Sequence, residues 1–172
     1  MASVVSIVAS SADFATSTRA ADHKGTTMGK VRERHANWEI VCRRKGDKPG
    51  DVCAAVQSVE AADKKDFRIT VYFQQFKDGQ RLLRVYTPRG LLLPPGVGLK
   101  IDDKDRGHAP FLKCEKHVDA CYAHIQVDDQ LLDRLKSGTS AIFIVFENEE
   151  KGLGVPVTLT GFADAVRALD RR

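Results

Sequence analysis

From Trp38 to the C-terminus the spacing of apolar residues follows a period of two, interrupted at short intervals by turn-forming residues. In FRITVYFQQF, Phe67, Ile69, Val71 and Phe73 fall on one face and Arg68, Thr70, Tyr72 and Gln74 on the other, the alternation of a half-buried strand. Comparable runs are WEIVC (38–42), DVCAAVQSV (51–59), RLLRVYT (81–87), VGLKI (97–101), CYAHIQV (121–127), AIFIVFE (141–147) and VPVTLT (155–160). KGDKPGD, KDGQ, PPG, DDKDRG and EKG stand between them as turns. Many short strands joined by turns predict an all-β protein, an antiparallel sandwich or barrel, and not a βαβ sheet. The expected core is Trp38, Phe67, Ile69, Val71, Phe73, Val85, Ile142, Ile144 and Phe146.

Two segments change period. DDQLLDRLKSG offers Asp128 or Asp129 as a cap, Leu131, Leu132 and Leu135 at helical spacing, and Gly138 as a stop. GFADAVRAL places Phe162, Ala165, Val166 and Leu169 on one side of a second short helix. Both are expected to cover an open end of the sandwich.

Residues 1–36 lack this periodicity and contain the Ser/Thr/Ala-rich run ASSADFATSTRAADHKGTT, so they are expected to form a leader, an atypical signal or a disordered segment, ahead of a single domain at 37–170. The opening MASVVSIVAS has the apolar character of a signal-peptide core without a basic flank. No apolar run approaches the roughly 20 residues needed to span a bilayer, so no transmembrane segment is expected.

The formal net charge is +4, but residues 37–170 carry twenty basic and twenty acidic residues, so the excess lies at the two ends. A formally neutral body lacks the clustered cations of a phosphate-backbone reader, and nucleic acid is not an expected partner. Familiar catalytic signatures are absent. GTTMGK (25–30) has one residue too few between its glycines for a phosphate loop, and Val31 follows where Ser or Thr is required. DDKD and ENEE sit beside turn residues, as solvated loops do. No catalytic residue and no cofactor is expected.

CEKHVDACYAH places Cys114, His117, Cys121 and His124 within eleven positions, a potential tetrahedral zinc set. On a strand, however, Cys121 and His124 point to opposite faces, whereas Cys114 and Cys121 end one run and begin the next, as a disulfide across a hairpin would require. Cys42 and Cys53 repeat that arrangement. Four cysteines allow three pairings; local pairing clips one loop with each bridge, contributing roughly 2–3 kcal/mol apiece in the chain-entropy model. The disulfide reading implies an oxidising compartment, and the zinc reading a small metalloprotein.

WEIVC with Cys53 downstream, PRGLLLPPGVGLKID (88–102), PFLKCEKHVDACYA (110–123), LLDRLKSG (131–138) and VPVTLTGFADAVRAL (155–169), in that order, resemble the invasion-associated locus B family of bacterial proteins. The resemblance implies an immunoglobulin-like β-sandwich and a protein that is periplasmic, envelope-bound or secreted. It also implies structural disulfides pairing Cys42 with Cys53 and Cys114 with Cys121. The function so implied is non-enzymatic: surface contacts with an unknown protein or envelope component, in host-cell invasion or envelope integrity. The turns KGDKPGD and EKHVDA are the expected contact surfaces.

Overall fold

The computed structural model describes residues 29–44 and 51–172. Eleven strands and two helices follow in chain order among them: β1 Lys30–His35, β2 Trp38–Arg44, β3 Asp51–Glu60, β4 Arg68–Gln75, β5 Arg81–Pro88, β6 Val97–Ile101, β7 Lys104–Ala109, β8 Phe111–Glu115, β9 Ala120–Gln126, α1 Asp129–Ser137, β10 Ser140–Phe146, β11 Gly152–Thr158 and α2 Phe162–Asp170. All strand pairs are antiparallel. They build a seven-stranded sheet in the order β1-β2-β3-β4-β5-β9-β8 and a four-stranded sheet in the order β11-β10-β6-β7, so the fold is a β-sandwich.

The period-two alternation becomes the inner face of the large sheet. Trp38 and Ile40 of β2, Ala55 of β3, Ile69, Val71 and Phe73 of β4, Leu83 and Val85 of β5 and Ala123 of β9 are all buried in one cluster. Helix α2 closes it: the Phe162 ring packs edge-on against Trp38 at 4.9 Å between centroids and against Phe73 at 5.2 Å. Each such fully buried side chain contributes roughly 1.5–3 kcal/mol relative to an exposed position. Trp38 Nε1 and Gln57 Nε2 both donate to the carbonyl of Thr158, each at 3.1 Å, so a polar tie from the large sheet meets the last residue of β11 inside this cluster.

In the small sheet the expected face is reversed. Ala141, Phe143 and Val145 of β10 are buried, while Ile142, Ile144 and Phe146 are only half-buried on the outer side. Registration explains this. Phe143 lies opposite Leu99 and Val155, and Val145 opposite Leu153, whereas Ile144 lies opposite Gly98 and Gly154, and Phe146 opposite Gly152. The apolar sides of β6 and β11 select Phe143 and Val145 for the interior.

Two strands arise where none is expected. β1 pairs with β2 inside the stretch read as leader, so the sheet begins before residue 37; residues 1–28 of that leader lie outside the described residues. In DDKDRG only Asp102 and Asp103 turn, with φ of 47° and 63°, and Lys104 onward runs back as β7. Two consecutive left-handed residues are what a two-residue type I′ hairpin demands. Asp102 also accepts hydrogen bonds from the backbone N–H groups of Thr139 and Ser140 at 2.9 and 3.0 Å, fastening this hairpin to the chain that leaves α1. These donors hold its carboxyl below the usual carboxylate range.

The helices sit where the change of period places them. Asp128 caps α1 by accepting from the Leu131 N–H at 2.7 Å, and Leu132 and Leu135 are buried. Gly138 ends it in an extended conformation, and its lack of a Cβ makes room for Ile101 and for the Arg134 carbonyl. Among the described residues no helix is long and apolar enough to cross a membrane.

Candidate functional site

The outer face of the seven-stranded sheet carries a second alternation, made of aromatic and cationic side chains. Two neighbouring rows cross it. In the first, Val56 of β3 faces Tyr72 of β4, Tyr72 faces Arg84 of β5, and Arg84 faces His124 of β9. In the second, Ser58 faces Thr70, Thr70 faces Tyr86, Tyr86 faces Tyr122, and Tyr122 faces Lys113 of β8. Ring contacts join the rows: Tyr72 to Tyr86 at 5.5 Å, Tyr86 to Tyr122 at 5.3 Å and Tyr122 to His124 at 5.3 Å. The Arg84 guanidinium lies 5.6 Å from the centre of the Tyr122 ring, and this cation–π contact fixes the side chain along the sheet.

Beside these rings the surface is hollowed into two adjoining cavities. One, of about 210 Å³, is bounded by Arg43, Tyr72, Arg84 and Tyr86 on the sheet and by Glu115, His117 and Val118. The other, of about 180 Å³, lies among Thr70, Tyr72, Tyr86, Pro88, Val118 and Ala120. Tyr72, Tyr86 and Val118 border both. The floor is therefore strand and the wall is the β8–β9 turn, where Asp119 takes a left-handed φ of 48°.

Charge in the first cavity is uneven. Glu115 is engaged by Lys113 Nζ at 3.1 Å and by His117 Nε2 at 2.9 Å. Arg84 spends its Nε proton on His124 Nε2 at 2.8 Å. Neither Arg43 nor Arg84 meets a carboxylate among the described residues. Burial pushes the Tyr72 hydroxyl up to about 12, Tyr86 adding to the shift while Arg43 and Arg84 oppose it. Tyr72 is thus a neutral hydrogen-bonding group at physiological pH, with both guanidinium groups near enough to act on it. Burial, reinforced by Arg84, depresses the His124 imidazole below its ordinary value.

Cys42 and Cys121 are buried behind this face, Cys53 is half-buried beside them, and Cys114 lies exposed on the edge strand β8. Cys42 is bonded to Cys53 and Cys114 to Cys121, each pair directly opposed across neighbouring strands. The zinc arrangement of Cys114, His117, Cys121 and His124 does not form, for a physical reason: the two sulfurs are spent on each other, His124 projects from the opposite side of β9 and accepts from Arg84, and His117 turns to Glu115. Among the described residues no group of His, Cys, Asp and Glu side chains converges as a metal site. Of the two expected contact turns, EKHVDA forms the wall of both cavities. Residues 45–50 of KGDKPGD lie outside the described residues.

The sequence alone does not single out Arg43, Tyr72, Arg84, Tyr86 and Tyr122, because polar positions of a half-buried strand are ordinarily solvated. The runs TVYFQ, LRVYT and CYAHI each carry Tyr, Arg or His at alternate positions on that side, which makes a patterned surface once the strands pair.

The family model described as "Invasion associated locus B (IalB) protein" matches residues 38–170. Among solved structures the chain is similar to the crystal structure of invasion associated protein b from Bartonella henselae, with a TM-score of 0.69 and 19% identity, over 83% of this chain and 96% of that one. At that identity the likeness speaks for the fold. No curated protein sequence matches the chain at a significant level.

Proposed function

Because the chain belongs to the invasion associated locus B family, we propose that it is an exported protein, periplasmic or secreted, that works without catalysis by binding a partner protein or envelope component through the groove over Tyr72 and Tyr86. The observation that carries this reading is the groove itself: aromatic rings and two guanidinium groups without carboxylate partners among the described residues, on a face backed by two disulfides. Tyrosine and arginine are the side chains that most often anchor protein contacts, because each offers a large, fairly rigid surface with a polar end. Disulfides persist where oxidation is maintained, which supports export. Binding also suits this face better than acid–base chemistry does, since His124 has Nε2 engaged by Arg84 and His117 is paired with Glu115. The association with invasion that the family's description and the name of the Bartonella henselae protein carry leads us to assign host-cell invasion, or envelope integrity, as the biological setting of that contact.

The test is site-directed photo-crosslinking in living cells. A photo-reactive residue at Val118, in the groove wall, should give a discrete adduct that the same residue at Asp133 on α1 does not. Adducts of equal yield from both positions, or none from Val118, would remove the groove as the contact surface.

A further inference from the structure

Resting on the reading that the groove is the contact surface, we infer that its ligand is an acidic segment of a partner polypeptide, with a carboxylate in the arginine half and a neighbouring apolar side chain in the other half. The two cavities, of about 210 and 180 Å³, are each the size of one or two side chains and share Tyr72, Tyr86 and Val118. They suit adjacent side chains of a chain laid across the face better than one large compact molecule. Their chemistry differs. The first holds Arg43 and Arg84, while its own carboxylate, Glu115, is already held by Lys113 and His117. Guanidinium forks match carboxylates in two parallel hydrogen bonds, and Arg84, held by His124 and by the Tyr122 ring, is preorganised to offer one. The neutral Tyr72 hydroxyl beside both cations can donate to the same anion. The second cavity is lined by Thr70, Pro88, Val118, Ala120 and the two rings; the two charged residues that also border it, Arg68 and Asp119, are paired with Glu60 and Arg89, which leaves its uncharged walls to accept an aliphatic or aromatic side chain. Charge complementarity in one half and apolar burial in the other together specify an acidic residue next to an apolar one.

The experiment is a ¹⁵N-NMR titration of the full, oxidised chain with three probes: acetyl-Glu-Leu-Glu-Leu-amide, its glutamine isostere acetyl-Gln-Leu-Gln-Leu-amide, and inorganic phosphate. The acidic peptide should saturably shift the amides of Arg43, Tyr72, Arg84, Tyr86 and Val118, bind at least tenfold more tightly than the isostere and phosphate, and weaken as salt rises. Arg43→Gln should weaken it about tenfold or more, the loss of one charge-assisted contact. Arg43 is exposed, so the fold should survive, as an otherwise unchanged spectrum will verify. Equal binding of the isostere, or an unaffected Arg43→Gln variant, would overturn the acidic specificity while leaving the groove as a contact surface. Phosphate binding as tightly as the peptide would reduce the site to a simple anion site. Shifts confined to other surfaces, or none with any probe, would overturn the proposal outright.

Discussion

Arg84 donates its Nε proton to Nε2 of His124 across 2.8 Å, so the imidazole must present a lone pair there and carry its own proton on Nδ1. Protonation of His124 breaks this bond and sets two cations against each other. Burial and Arg84 both depress the His124 pKa. Stability linked to this group is therefore complete above the ordinary histidine value of about 6.5 and is lost as pH falls through the lower folded value. An NMR titration of the ring should give a midpoint below that of an unstructured histidine. Arg84→Met should raise it only part of the way, because burial is the larger cause. A midpoint above 6.5 would mean that the bond does not hold the neutral form.

Phe143→Ala should cost about 3–5 kcal/mol, as loss of a fully buried ring does, and Ile144→Ala about 1 kcal/mol, because Ile144 faces Gly98 and Gly154 on the outer side. Urea denaturation of the two variants measures the difference. The pair also marks how far the sequence could be read. AIFIVFE is apolar on both faces, so its own alternation cannot say which side is buried. The partners could have decided it: VGLKI and GLGVPVT alternate strictly, and antiparallel registration hands their apolar sides to Phe143 and Val145. For the large sheet, FRITVYFQQF was unambiguous, and Ile69, Val71 and Phe73 are buried with it. β1 is illegible in the sequence because KVRERH carries five charged or basic side chains on an edge strand, where apolar alternation is not required. The cysteine spacing left three pairings open, and the groove was legible only as separate strands, since its two rows exist only after β4, β5 and β9 are paired.

Gly161 begins α2 with a left-handed φ of 88°, and a Cβ there would lie 2.1 Å from the carbonyl oxygen of His35. Gly161→Ala should therefore destabilise the protein by at least about 2 kcal/mol, combining an unfavourable backbone conformation with a clash that the β1–β2 turn must move to relieve. Thermal and urea unfolding check this; a change within experimental error would show that the turn and the helix are not in contact as described.

Glu147, at the end of β10, receives Lys151 at 2.7 Å and is also paired with Lys64 from the β3–β4 connection. Hydrogen bonds from Lys151 and then Lys64 bring its carboxyl down to about 2. A depressed carboxylate stabilises the fold above its ordinary value of about 4.5 and loses that contribution as pH falls towards 2. Glu147→Gln should lower stability at neutral pH and flatten the acid limb between those values. Parallel curves for the two proteins would show that the ion pairs add nothing.

The claim on which the rest depends is that the protein works outside the cytoplasm with both disulfides, Cys42–Cys53 and Cys114–Cys121, formed. Cell fractionation with thiol alkylation before lysis tests it most directly. The account predicts recovery in the periplasmic or extracellular fraction, with all four cysteines unmodified until a reductant is added. Recovery in the cytoplasm with all four cysteines alkylated would contradict it.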